Sequence, residues 1–179
     1  FSVNYTCNQE AFACMSHNHT STSSSMLDGM RRLVSGVCVI TANNGDGERS
    51  AMTASSVTSV SAEPPSLLVC VNRQARLDQA MIESGAFCVN VLGPKHEQIS
   101  TICATPEKGC TRFELGDWAL DEETGLSFLA DAQAVFFCRK QATHAYGTHN
   151  IFIGDVLRTR VTEGEVKSLA YLNGSYRML

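Results

Sequence analysis

The stretch Val37-Cys38-Val39-Ile40-Thr41 and the polar run behind it, Asn43-Asn44-Gly45-Asp46-Gly47, decide the fold class of this chain. The first stretch is rich in β-branched residues, which favour strands. The second is a strong turn signal, because Asn and Gly readily adopt the positive φ of tight hairpin turns. The chain is therefore expected to return through Ala51 and Thr53 as the second strand of an antiparallel hairpin.

Similar apolar runs recur after this hairpin and predict further strands. Their approximate limits are 66–71 (introduced by Pro64-Pro65), 87–92, 132–142, 149–161 and 166–172. A tight turn at 162–165 is expected to join the last two of these strands.

Helical spacing of apolar residues predicts three short helices. The first starts at Met26 after Ser25 as its N-cap and ends near Gly36, the second covers 76–82, and the third begins at Pro94. Residues 104–125 are expected to be irregular. About seven strands with short helices between them, and no long βαβ alternation, predict a mainly β, antiparallel, Greek-key-like barrel rather than a doubly wound sheet.

The length and the charge limit the function classes. A chain of 179 residues, 44% of them hydrophobic, suits one domain of ordinary size. We assign that domain to 26–179 and regard the polar segment 1–25 as an N-terminal arm. A net charge of −4 does not suit a protein that binds duplex nucleic acid. The sequence has no run of ~18 apolar residues, so no membrane span is predicted.

The eight cysteines are not arranged like a disulfide scaffold or a metal site. Cys38, Cys70, Cys88 and Cys138 each lie inside an apolar, β-rich run, and no C-x-x-C pair occurs. Buried free cysteine behaves as a small hydrophobic residue. We therefore expect reduced core cysteines, no bound metal and a cytoplasmic protein.

The segment 52–61 is the first candidate for chemistry, because six of its ten residues carry hydroxyl groups. Small side chains let a flat ligand lie close against the main chain, and the hydroxyls suit a phosphate or a sugar chain. The alternative interpretation is a polar edge strand without a ligand.

Two further segments carry candidate ligand-binding residues. Asn72, Arg73 and Arg76 lie at the start of the second predicted helix, where main-chain N–H groups and a nearby arginine suit a phosphate. His149 follows a glycine turn at the entrance of a strand. The alternatives are two solvated arginines and a histidine that merely fills a turn.

The chain resembles the short-chain flavin reductase family, the reductase components of two-component flavin monooxygenases. The resemblance runs from about residue 27 to Leu179 and is carried by five motifs in order. They are 32–41, the serine-rich segment, 64–73, 87–92, and Gly147-Thr148-His149 leading into 151–156. The family implies a split β-barrel of the FMN-binding type, a homodimer, and transfer of hydride from NADH or NADPH to FMN or FAD. It also implies that reduced flavin is supplied to a flavin-dependent monooxygenase.

The resemblance also assigns roles to residues of this sequence. The stretch from Thr53 to Ser59 matches the segment whose main chain lies along the flavin ring, while Ser61 and Arg76 match the region of the phosphate contacts. His149 matches the histidine of the family's Gly-Asp-His motif near the nicotinamide, and Tyr176 matches the aromatic end of the chain that closes over the flavin. The implied cofactor-binding residues are Thr53, Ala54, Ser55, Ser56, Val57, Ser59, Ser61, Asn72, Arg73, Arg76, His149 and Tyr176, with His149 also the catalytic candidate.

One position departs from the family's pattern. Thr148 stands where the family has Asp, and threonine can hydrogen-bond the neighbouring histidine but brings no charge. This departure favours an alternative function, a flavin-binding carrier or sensor without reductase activity. A split-barrel oxidase similar to pyridoxamine-phosphate oxidases is a further alternative, as is a β-domain without a ligand. The oxidase would need more basic phosphate ligands than Arg73 and Arg76 supply.

Overall fold

The computed structural model describes residues 21–105 and 110–179. This part of the chain is dominated by antiparallel strands with a few short helices, which confirms the predicted mainly β class. No helix in the described part is long and apolar enough to cross a membrane. Residues 1–20 of the predicted arm lie outside the described residues, so the boundary at residue 25 stays a prediction.

The described chain contains three short α-helices and twelve strands. The helices are α1 (Thr22–Met30), α2 (Arg76–Glu83) and α3 (Glu97–Ala104), with 3₁₀ turns at Pro94–His96 and Cys110–Phe113. The strands are β1 (Ser35–Gly36), β2 (Cys38–Asn43), β3 (Arg49–Ala54), β4 (Val57–Ala62), β5 (Pro65–Asn72), β6 (Ala86–Val91), β7 (Trp118–Leu120), β8 (Ser127–Leu129), β9 (Ala134–Tyr146), β10 (His149–Val161), β11 (Leu169–Leu172) and β12 (Ser175–Met178).

The main sheet has seven strands in the order β3-β2-β6-β9-β10-β5-β4, and every pair is antiparallel. Its two end strands, β3 and β4, are consecutive in the chain and joined only by Ser55 and Ser56. The sheet must therefore curve until its ends meet at this bend. In the described part β3 and β4 are not hydrogen-bonded to each other, so closure into a full barrel stays a prediction.

The central strands are buried on both faces, which explains why their sequences are continuous apolar runs rather than alternating ones. On β2, Val39 belongs to one core cluster, whereas Cys38 and Ile40 belong to the other. The second cluster includes Leu77 and Met81 from α2, and the first includes Ile99 from α3. The two helices thus cover opposite faces of the sheet.

Several predicted elements differ from the structure. Residues 104–125, expected to be irregular, include the short strand β7, which pairs with β8. The first helix begins at Thr22 with Ser21 as its N-cap, four residues before the predicted start, and no residue of the helix is buried. Its apolar positions suited an amphipathic helix, but no core lies beneath them. The strand predicted at 166–172 is limited to β11, which leaves the main sheet and pairs with β1 and β12. The turn predicted at 162–165 therefore does not form a hairpin between β10 and β11.

Candidate functional site

The chain turns sharply between β5 and α2, and Asn72 holds this turn. Its side-chain Oδ1 accepts from the Gln74 N–H at 2.9 Å, and its carbonyl oxygen accepts from the Ala75 N–H at 2.9 Å. The turn delivers the chain into α2, whose N-cap Ala75 has no side-chain hydrogen bond to the helix. The Asp78 N–H donates to the Ala75 carbonyl oxygen at 3.0 Å, which leaves the N–H groups of Arg76 and Leu77 at the helix start for an anionic ligand.

A cavity of about 550 Å³ opens at this helix start, and we call it the main cavity. Its volume lies within the range of small-molecule sites, roughly 300–1,000 Å³. It is bordered by the β3, β5, α2 and α3 elements and by the 3₁₀ turn at Cys110–Phe113. Its lining includes Met52, Asn72, Arg76, Leu77, Cys103 and Arg112. An apolar floor with two guanidinium groups fits a ring system that carries phosphate.

Arg112 is the functional candidate that the sequence did not reveal. Its side chain is buried, at 8% exposure, and its Nη atoms donate to the carbonyl oxygens of Ala51 and Thr105. It lies in the segment expected to be irregular, next to Phe113, whose ring packs edge-on against Trp118. No local motif signals this position, because its burial depends on docking of the 3₁₀ turn against β3.

Cys103 shares the main cavity but has no nucleophilic role at neutral pH. Burial raises the pKa of its thiol to about 11, although the nearby Arg112 charge opposes the shift. The thiol stays protonated and acts as apolar lining. The main cavity is thus equipped for binding rather than for acid–base chemistry.

The β9–β10 hairpin tip lies against the same turn. The Arg73 guanidinium donates to the Gly147 carbonyl oxygen at 2.7 Å, and the Arg73 N–H donates to the Thr148 carbonyl oxygen at 3.0 Å. A second cavity, about 340 Å³, lies here and is lined by Asn72, Arg73, Gln74 and Thr148. Asn72 lines both cavities and pairs with His149 across β5 and β10. His149, the histidine predicted to contact the nicotinamide, is therefore the cross-strand neighbour of a residue that lines the main cavity.

His149 is exposed, and its Nδ1 lies 2.9 Å from the Thr148 hydroxyl oxygen. The departure from the family's Asp thus leaves a direct contact between these two side chains, but one without a negative charge. A threonine hydroxyl can orient an imidazole ring, although it does not stabilise a protonated one as a carboxylate does.

The hydroxyl-rich segment does not form one strand; it forms the end of β3, the Ser55–Ser56 bend and β4. Three of its hydroxyls donate within the chain: Thr53 to the Ser100 carbonyl at 2.6 Å, Ser56 to the Cys70 carbonyl at 3.0 Å, and Ser61 to the Glu63 carbonyl at 2.9 Å. Both strands have a single hydrogen-bonded neighbour in the described part. Edge strands of this kind present main-chain N–H and C=O groups to a ligand.

Tyr176 is connected to this segment through α3. Its hydroxyl lies 2.7 Å from the Oγ of buried Ser100, the residue whose carbonyl accepts from Thr53. The tyrosine ring also packs edge-on against Tyr171, with ring centroids 5.5 Å apart.

The structure therefore divides the predicted residues into three groups. Asn72, Arg73, Arg76 and His149 come together around the turn before α2. Along the bend and β4, Ala54 is buried and Val57 is half-buried, whereas the four serines, Ser55, Ser56, Ser59 and Ser61, are exposed. Thr53 and Tyr176 meet on either side of Ser100. The role of each residue in cofactor binding stays a prediction.

Comparison with known proteins identifies the family. A family model described as "Flavin reductase like domain" matches residues 30–179. The chain belongs to this flavin reductase family. The match covers the whole described structure apart from α1, and it confirms the resemblance inferred from the motifs.

Named relatives of this flavin reductase agree in length and function class. The FMN reductase (NADH) RutF of Agrobacterium fabrum is 37% identical over 152 residues, which cover 85% of this chain and 86% of the relative. The reductase component of the FADH(2)-dependent resorcinol hydroxylase of a Rhizobium species is 39% identical over 148 residues, 82% of each chain.

A solved structure shows the same fold. The NADH:FAD oxidoreductase SgcE6 of Streptomyces globisporus, in complex with NAD and FAD fragments, superposes with a TM-score of 0.80. It is 29% identical in sequence, and the match covers 87% of this chain and 92% of that one.

Proposed function

We propose that this chain is an NAD(P)H-dependent flavin reductase that passes hydride from the nicotinamide to FMN or FAD. The single observation that carries the proposal is the family match over residues 30–179. Relatives named as an FMN reductase that uses NADH and as a reductase component of an FADH(2)-dependent hydroxylase support it. The main cavity supports it independently, because its size and its two arginines fit a phosphorylated ring system.

The protein's contribution is to bind and orient. When bound, the nicotinamide and the flavin supply the hydride chemistry themselves, so no strong general acid or base is required. In our proposal the Arg76 side chain and the N–H groups of Arg76 and Leu77 hold phosphate. The free edges of β3 and β4 around Ser55–Ser56 offer fixed dipoles to the ring, and His149 positions the nicotinamide.

The direct test is a steady-state assay that combines FMN and FAD with NADH and NADPH. We expect flavin-dependent oxidation of the nicotinamide by the purified chain. Arg76→Ala should raise the KM for the flavin by about tenfold, the cost of one charge-assisted phosphate contact. Arg139→Ala is the matched control, because Arg139 forms only an exposed ion pair with Asp155. If flavin does not increase the rate of nicotinamide oxidation, the proposed reductase activity is rejected.

The exposed His149 beside an uncharged Thr148 supports a second candidate, a flavin carrier or sensor without turnover. The same assay separates the two functions. A carrier would bind flavin, seen as quenched flavin fluorescence, yet oxidise neither NADH nor NADPH.

The proposed assembly is a homodimer formed through α1 and the segment behind it. Five apolar side chains in this region are more than half exposed: Met26, Leu27, Met30, Leu33 and Val34. A cluster of this kind is typical of a protein interface. Asp28, Arg31 and Arg32 border it, and opposite charges on one patch suit a two-fold contact with itself.

The proposed partner is a flavin-dependent monooxygenase that consumes the reduced flavin, as the name of the resorcinol hydroxylase reductase suggests. The proposed compartment is the cytoplasm. Among the cysteines whose side chains the structure describes, Cys38, Cys70, Cys88, Cys103 and Cys138 are free thiols, which suits a reducing environment.

A further inference from the structure

Asp78 is a buried carboxylate on α2 with a single side-chain partner. It is 4% exposed and lies in the first turn of the helix. The Asn150 Nδ2 donates to its Oδ1 at 2.8 Å, and Asp78 forms no ion pair with any residue in the described ranges. Asn150 on β10 is also buried, at 5% exposure. The pair therefore joins α2 to β10 by a hydrogen bond that is shielded from water.

A buried pair of this kind adds little to stability by itself. Two apolar side chains of similar volume would avoid the cost of removing a carboxylate from water. Leu77 and Met81 on the same helix already pack in the core beneath α2. Apolar packing is non-directional, whereas a hydrogen bond fixes both the distance and the orientation of its groups. The pair is thus suited to fix the position of α2 on β10 rather than to strengthen the core.

His149 lies between two such links to the start of α2. On one side is Asn150, the next residue, which is buried whereas His149 is exposed, because successive side chains of a strand point in opposite directions. On the other side Arg73 donates its main-chain N–H to the Thr148 carbonyl oxygen at 3.0 Å and its guanidinium to the Gly147 carbonyl oxygen at 2.7 Å. The strand entrance that carries His149 is consequently held to the helix start on both sides of the histidine.

We propose that Asp78 and Asn150 are positioning residues that fix His149 relative to the start of α2. The inference rests on the proposed function, in which Arg76 at this helix start holds phosphate and His149 positions the nicotinamide. A fixed spacing between these two groups brings the reactants together in a reactive geometry. Thr148 brings no charge that could hold the imidazole, so the position of the strand itself has greater weight in this chain.

The first variant replaces the hydrogen bond by repulsion. Asn150→Asp places a second carboxyl group against that of Asp78. We expect kcat for NADH oxidation to fall about tenfold, because small displacements of a positioning group are costly to the rate. The Kd for FMN, measured by fluorescence quenching without nicotinamide, should change by less than about twofold. A general loss of structure would instead weaken both.

An exchanged double variant tests whether the pair acts as a unit. Asp78→Asn combined with Asn150→Asp restores one amide opposite one carboxylate, and should recover at least about half of the wild-type kcat. Asn150→Ala removes the donor without adding a charge, so it tests the same bond if Asn150→Asp does not fold. We expect it to lower kcat by about threefold.

Thr41→Val is the matched control for lost stability. It removes a different buried hydrogen bond, from the Thr41 hydroxyl to the Ser127 carbonyl oxygen at 2.6 Å, outside α2 and β10. It should lower the unfolding temperature but leave kcat unchanged. Thermal unfolding of every variant shows that it is folded at the temperature of the assay.

The imidazole NMR signals of His149, assigned with a His149→Gln variant, report its position without turnover. They should shift in Asn150→Asp, return in the exchanged variant and stay unchanged in Thr41→Val. Unchanged His149 signals, or an active enzyme whose kcat stays at the wild-type value in both Asn150 variants, would overturn the proposal. If the signals shift as expected but wild-type protein reduces no flavin, the reductase function fails while the positioning contact stands.

Discussion

At the scale of single residues, the fold depends on a few close contacts that tolerate no added atoms. Gly154 on β10 lies against the ring of Phe87, and a Cβ at this position would come within 2.6 Å of Phe87 Cε1 and 3.1 Å of the Cys138 Cβ. Phe87 is itself fully buried. The glycine is therefore required by packing rather than by an unusual φ.

Gly154→Ala is expected to destabilise the chain by about 1–3 kcal/mol, because the extra methyl group overpacks a dense core. Gly85→Ala is the matched control, since a Cβ there meets nothing within 4 Å. Urea unfolding of both variants measures the difference. Equal stabilities would show that the ring of Phe87 can move aside.

A second residue-scale feature is the ion pair between the buried carboxylate of Asp121 and the partly exposed guanidinium of Arg158. Burial acts to raise the pKa of the Asp121 carboxyl, but hydrogen bonds from Thr124 and Arg158 outweigh it and hold the pKa below its ordinary value. The charged form is thus favoured in the folded state. The stabilisation is present above about pH 4, the unfolded value, and is lost as the pH falls through the lower folded value.

Asp121→Asn should therefore be less stable than wild type at pH 7, and the gap should narrow as the pH falls below about 4. Glu122→Gln, at an exposed neighbouring position, is the control and should show no such convergence. Urea unfolding at a series of pH values provides the measurement. A gap that stays constant down to pH ~3 would contradict the assigned role of the carboxylate.

At the scale of elements, the position of each cysteine on its strand determines how deeply its thiol is buried. Burial raises the pKa of the Cys38 and Cys138 thiols to about 12 and raises that of Cys88 further. Cys70 on β5 is only half-buried, because it lies between the buried residues Val69 and Val71 on a strand whose side chains alternate in direction.

A brief treatment of the native protein with iodoacetamide should consequently label Cys70 before Cys38, Cys88 or Cys138. Peptide mass spectrometry reads the extent at each position, and urea-unfolded protein, in which all four label alike, is the control. Labelling of Cys88 as fast as Cys70 would mean that the central strands open more readily than their packing implies.

An element can be predicted from the sequence when neighbouring residues determine it, and cannot when contacts between distant segments do. The β2–β3 hairpin and α2 were predictable, because the Asn-Gly turn and the spacing of Leu77, Ala80 and Met81 are local signals. The exposure of α1 was not, since apolar spacing predicts a helix face but not what covers it. Arg112 was missed for a related reason: its site is created when a 3₁₀ turn packs against β3, far away in the sequence.

At the scale of the whole molecule, the curved sheet brings together three segments that are far apart in the sequence. The β3–β4 bend, the start of α2 and the hairpin tip at Gly147 come from separate parts of the sequence. They lie together because β5 pairs with both β4 and β10. This arrangement leaves α1 outside the core, and in the proposed homodimer a second copy of the chain buries its apolar side chains.

Leu33→Glu should convert the proposed dimer into a monomer, because a charge would replace an apolar side chain at the centre of the interface. Leu120→Glu on β7 is the matched control, as Leu120 is equally exposed but lies outside the α1 region. Sedimentation velocity at micromolar concentration distinguishes the two states. A monomeric wild-type protein would exclude the proposed dimer. A Leu33→Glu variant that stays dimeric would show that the interface does not include the α1 region.

The central claim, that a flavin ring rests beside the β3–β4 bend, is tested most directly by a crystal structure of this chain soaked with FAD. The account predicts density for the ring along residues 53–59 and a phosphate oxygen within hydrogen-bonding distance of Arg76. A flavin bound elsewhere, with the bend and the main cavity unchanged, would contradict it.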